Sequence, residues 1–60
     1  MTNMKSIHYE VKKIVDRNKG IRRASILIGV PKDSIKKVLS KDFLTLPEGH
    51  LSIITEYLSI

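Results

Sequence analysis

Ten of the eleven Lys and Arg residues of this chain lie between Lys12 and Lys41, where only Asp16 and Asp33 oppose them. Ten basic residues against two acidic ones leave that segment with a charge of +8. From Asp42 to Ile60 there are three carboxylates (Asp42, Glu48, Glu56) and no Lys or Arg, while Lys5 and Glu10 cancel in the first eleven residues. The chemistry open to such a set is recognition of a polyanion on one side of the molecule. Covalent chemistry is not indicated. The carboxylates are scattered, no nucleophile stands at an interpretable spacing from a base, and there is no Gly-rich phosphate loop. No enzymatic activity and no small-molecule substrate are therefore expected. The absence of Cys excludes disulfides and thiolate metal sites. His8 and His50 lack carboxylates at metal-like spacing and read as surface or boundary side chains, so neither a metal nor a cofactor is expected.

The elements that must carry these charges are read from spacing. Sixty residues make one domain, residues 1–60, near the lower size limit for folding without a staple. Within IRRASILIGVPKDSIKKVLS, Ile21 to Ser40, two short helices are joined by a tight turn. The small residues Ala24 and Ser25 suit close approach of a second helix. Gly29 falls where the first helix must stop and positive φ is needed. Pro31 presets φ for the first turn of the next helix, and Ile35 and Val38 share one face of it at i, i+3 spacing. The first of these helices, about Ile21–Ile28, should bury Ala24, Leu27 and Ile28 and expose Arg22 and Arg23. The second, about Lys32–Leu39, should turn Ile35, Val38 and Leu39 inward and Lys32, Asp33, Lys36 and Lys37 outward.

The small residue Ser25, Gly29 four later, Val30 beside it, and Ile35 and Val38 beyond resemble the helix-turn-helix pattern of bacterial and phage repressors. The pattern looks most like the small Cro-type transcriptional regulators. It covers about a third of the chain at motif level and most of it in helix order. Ser25 stands where Ala is commonest. The chain also stops after a fourth helix where many such domains carry a fifth, a departure that bears on the dimer contact and not on the DNA-reading element. The resemblance implies an all-α fold of four short helices and sequence-specific binding of double-stranded DNA by a homodimer that blocks transcription through operator occupancy. It makes Lys32–Leu39 the recognition helix, with Lys32, Asp33, Lys36 and Lys37 at base edges. Asp33 would accept from a cytosine amino group or simply favour the helix N-terminus. Arg22 and Arg23, with Lys19 and Lys41, would meet phosphates.

Two further helices complete the expected fold. Thr2 or Asn3 can cap the first, in which Met4, Ile7, Val11, Ile14 and Val15 form an apolar stripe. Tyr9 lies off that stripe, where it would lie flat on the surface or touch a phosphate, the surface being the commoner place, and Asn18-Lys19-Gly20 turns the chain. Phe43, Leu44 and Leu46 should fold back onto the core from a loop starting near Ser40. Thr45 and Glu48 have capping-box spacing at the start of the last helix, with Pro47 near that start. Leu51, Ile54 and Leu58 would face the core, leaving Ile53, Tyr57 and Ile60 as a second stripe for a dimer partner. The rival class is a protein-interaction module that inhibits or recruits another factor through this helix. RNA binding is disfavoured because one Phe, two Tyr and no Trp offer little to stack on unpaired bases. No apolar run nears the ~20 residues of a membrane span, and no secretory h-region leads the chain. A soluble protein of the bacterial or phage-infected cytoplasm is expected.

Overall fold

A computed structural model describes residues 4–58 as four helices, with no strand among them. The helices are α1 (Met4–Arg17), α2 (Ile21–Ile28), α3 (Lys32–Leu39) and α4 (Glu48–Leu58). The bounds of α2 and α3 are those the spacing predicts. The Thr2 or Asn3 cap, the Met4 side chain and Ile60 lie outside what is described.

One core holds the helices together. Ile7 and Val11 of α1, Ile28 of α2, Val30 of the turn, Ile35 and Val38 of α3, Leu46 of the loop and Ile54 of α4 are its buried centre. Ile14, Val15, Ile21, Leu39, Phe43, Leu51 and Leu58 pack around it, half-buried. Each helix contributes one face because its apolar residues recur at helical period. Eight such side chains are a small core, and burial of a Leu, Ile or Val stabilises by about 1.5–3 kcal/mol. The turns and caps between the helices therefore matter to whether the chain folds.

The turns have a common construction. At the end of α2, Gly29 takes φ 94, and the Ser25 carbonyl accepts from both Gly29 N–H (2.8 Å) and Val30 N–H (3.2 Å). The positive φ expected at Gly29 is thus present. At the end of α1, Lys19 takes φ 57, with Lys19 N–H on Asp16 O (3.3 Å) and Gly20 N–H on Val15 O (3.1 Å). At the end of α3, Lys41 takes φ 61, with Lys41 N–H on Val38 O (3.0 Å) and Asp42 N–H on Lys37 O (2.8 Å). These paired bonds satisfy the last carbonyls of each helix and reverse the chain within two residues.

Four expectations need correcting. Leu27 is 50% exposed, and Ser25 takes the buried place on α2. The buried arc runs through Ala24, Ser25 and Ile28, and Leu27 falls outside it. Leu44 does not fold back: it is 99% exposed, because Phe43 and Leu46 fill the space under the loop. Thr45 does not cap α4. Its hydroxyl donates to Asp42 Oδ2 (2.7 Å) and its N–H to Asp42 Oδ1 (3.4 Å), so the side chain is spent inside the loop. Pro31 precedes the first turn of α3 and is not part of it, whereas Pro47 stands next to the start of α4 as expected. Pro31 takes the N-cap position of α3 at ψ 153 and accepts from the Ser34 and Ile35 N–H groups. Pro47 accepts from Leu51 N–H at 3.0 Å.

Candidate nucleic-acid interface

The α2–turn–α3 unit carries the cationic residues of interest on its outside. Buried Ala24, Ser25 and Ile28 leave Arg22 and Arg23 exposed on the first turn of α2. Buried Ser34, Ile35 and Val38 leave Lys32, Asp33 and Lys36 exposed on α3. Lys32 and Lys36 are one helical turn apart, so their ammonium groups rise from neighbouring positions on one face. Among the described residues, none of Arg22, Arg23, Lys32 and Lys36 has a carboxylate at ion-pair distance. The ion pair there is Lys13–Glu10 at 3.1 Å, on α1, where Lys13 also sits 4.8 Å from the Tyr9 ring centre. Tyr9 is accordingly a surface residue shared with its own helix.

Two local devices hold the unit in shape. Ser25 is tolerated in a tight site because its hydroxyl donates to the Arg22 carbonyl at 2.8 Å, leaving no buried polar atom unpaired. Ser34, 2% exposed, shares a 2.8 Å hydrogen bond with His50 Nδ1 and so ties α3 to α4. His8 does the corresponding work at the other end of α3. Its Nε2 lies 3.1 Å from the Leu39 carbonyl, an acceptor, so Nε2 carries the proton. Both histidines are half-buried boundary residues, and among the described residues no cluster of three potential metal ligands exists.

The remaining site residues separate. Lys19 is exposed in the turn just before α2, next to the arginines in sequence. Lys37 does not stand outward with Lys32 and Lys36. It is half-buried, and its Nζ donates to the Thr45 carbonyl at 3.0 Å, because it lies at the edge of the outward face nearest the loop. Lys41 lies past the far end of α3, where it lines a cleft with Lys5, His8 and Phe43. Nothing local in the sequence signals that grouping, since Lys5 and Lys41 are far apart along the chain. A second cleft is lined by Asn18, Arg23, Ile26 and Leu27, of which Ile26 and Leu27 are 71% and 50% exposed. On α4, Ile53 and Tyr57 are exposed at 39% and 46%. Comparison with protein-family models, with curated proteins and with solved structures finds no match to this chain.

Proposed function

We propose that this chain is a transcriptional regulator of the Cro-like helix-turn-helix kind, binding double-stranded DNA in sequence-specific fashion and acting as a homodimer by operator occupancy. The observation that carries the reading is the pair of exposed lysines, Lys32 and Lys36, on the outer face of α3. They follow a glycine turn and a helix that opens with exposed Arg22 and Arg23. A short helix with Lys on its outer face suits the major groove, where Lys donates to guanine O6 and N7. Arg22 and Arg23, at the start of the preceding helix, suit phosphates, which position a protein without reading sequence. Lys19 and Lys41 would extend the phosphate contacts at the margins. Asp33, exposed in the first turn of α3, fits the helix dipole and could accept from a cytosine amino group. Lys37, held by Thr45, serves the loop first.

Affinity for a selected duplex and for random duplex, measured across salt concentrations, tests this. Lys36→Ala should relax discrimination at one base pair per half-site by about 1–3 kcal/mol. Arg22→Ala should weaken both duplexes alike and lower the slope of log affinity against log salt by about one for the lost phosphate contact. No measurable duplex affinity in the wild type would sink the reading. It would leave the exposed Ile53 and Tyr57 of α4 as the surface of a protein-interaction module.

A further inference from the structure

The chain has two histidines, and each holds one end of α3. At the N-terminal end, Ser34 Oγ lies 2.8 Å from His50 Nδ1, on α4. At the C-terminal end, His8 Nε2, on α1, lies 3.1 Å from the Leu39 carbonyl. The two bonds run in opposite directions. A carbonyl only accepts, so His8 donates. Ser34 is 2% exposed, and among the described residues His50 Nδ1 is the acceptor its hydroxyl reaches. The Pro31 carbonyl, three residues back, already accepts from the Ser34 and Ile35 N–H groups. Were Nδ1 the donor, the buried hydroxyl hydrogen would have no acceptor. Ser34 therefore donates, and His50 Nδ1 accepts.

A proton separates the two ends. The His8 imidazolium still donates from Nε2, and positive charge beside the last carbonyls of a helix is favourable. The His50 imidazolium carries N–H on both ring nitrogens and accepts nothing, so the buried Ser34 hydroxyl loses its acceptor. The surrounding charges do not offset this. On α3, Asp33 is exposed and Lys37 is tied to the Thr45 carbonyl; on α4, Glu48 is exposed. Neither Asp33 nor Glu48 pairs with the ring, and Glu56 lies six residues further along α4. In the loop, Asp42 accepts twice from Thr45. On α1, Glu10 pairs with Lys13, and the last turn of α2 carries no charge. The end that loosens is the end that matters, because the first turn of α3 has no side-chain cap and carries Lys32 and Asp33. Contacts of the precision that base reading needs tolerate only ~0.5 Å of misplacement. We propose that His50 is a positioning residue for α3, and that its protonation releases the first turn of α3 and weakens sequence-specific duplex binding. This rests on the duplex reading above. Duplex affinity then falls in acid, the opposite of what added positive charge alone does on a polyanion.

The test uses the whole chain and two readouts. One is affinity for a selected duplex. The other is protection of the amides at positions 34 and 35 from hydrogen exchange without DNA, corrected for the intrinsic effect of pH. Both are followed from about pH 8 to about pH 5.5, where histidines titrate and carboxylates stay largely ionised. The wild type should lose about tenfold in each as the pH falls, the scale of one buried hydrogen bond left unmade. His50→Asn offers an amide oxygen that accepts and does not titrate, so it should keep the high-pH values throughout. Ser34→Ala removes the bond at every pH and should stay near the low-pH values. His8→Gln keeps a donor for the Leu39 carbonyl and should retain the wild-type pH dependence. The proposal is overturned if wild-type affinity is flat or rises as the pH falls, or if His50→Asn keeps the wild-type slope. Should Ser34→Ala fail to fold, His50→Asn decides alone. A chain with no duplex affinity at any pH sinks the duplex reading, and the exchange data then decide separately whether His50 releases α3.

Discussion

Three helix ends place a residue in the left-handed region, and only Gly29 among Lys19, Gly29 and Lys41 is free of the Cβ penalty. For an L-residue that conformation costs roughly 1–2 kcal/mol, whereas Gly adopts it freely but loses more entropy on folding. Lys19→Gly should therefore stabilise the fold by about 0.5–1 kcal/mol, and Gly29→Ala should destabilise it by about 1–2 kcal/mol. A Cβ on Gly29 would meet Ile53 Cγ2 at 4.0 Å, an ordinary contact, so the penalty lies in the backbone and not in a clash. Denaturant unfolding of both variants is the check, and equal stability of Gly29→Ala and wild type would contradict it. Gly29 was legible in the sequence because a glycine after an apolar helical run has few other reasons to be there. Lys19 and Lys41 were not, because lysine carries no local mark of a left-handed backbone.

Among the elements, periodicity located α2 and α3 to the residue but misjudged which side chains they bury. The error at Leu27 arose because Ala24, Leu27 and Ile28 stand at i, i+3 and i+4 on one helical face, and only the burial of Ser25 turns the arc away from Leu27. The error at Thr45 has a different origin. Asp42 and Thr45 also stand three apart, and a carboxylate accepting two bonds from Thr45 competes with the capping box for the same hydroxyl. The link between α3 and α4 could not be read at all, since it joins a buried serine to a histidine sixteen residues away. Ser34→Ala should remove that link and destabilise the fold by about 0.5–1.5 kcal/mol, the usual net value of one hydrogen bond. The His50 ring resonances should shift with it in NMR spectra. A variant with unaltered stability and unaltered His50 shifts would show that α4 is held by Leu51, Ile54 and Leu58 alone.

On the scale of the whole molecule, size bears on how the proposed reading must work. The Cα envelope measures 27 × 20 × 18 Å, shorter in every direction than the ~34 Å between half-sites one helical turn apart on duplex DNA. One copy can therefore engage one half-site, and an operator of two requires two copies. The exposed pair Ile53 and Tyr57 is the surface proposed for that pairing. A two-fold contact uses the same patch on both subunits, so a charge placed there is buried twice. Ile60, the third member of the expected stripe, lies outside the described residues. Because the Ile53 side chain also lies 4.0 Å from where a Cβ on Gly29 would stand, a seam there would abut the turn and hold the two α3 helices at a fixed separation. Ile53→Asp should give monomers by sedimentation at concentrations where the wild type is dimeric, and it should abolish cooperative filling of a two-half-site operator while leaving affinity for an isolated half-site within about threefold, a difference near 0.7 kcal/mol. A wild type that stays monomeric at every concentration, and fills the two half-sites independently, would remove the dimer from the mechanism and leave single-site binding by α3.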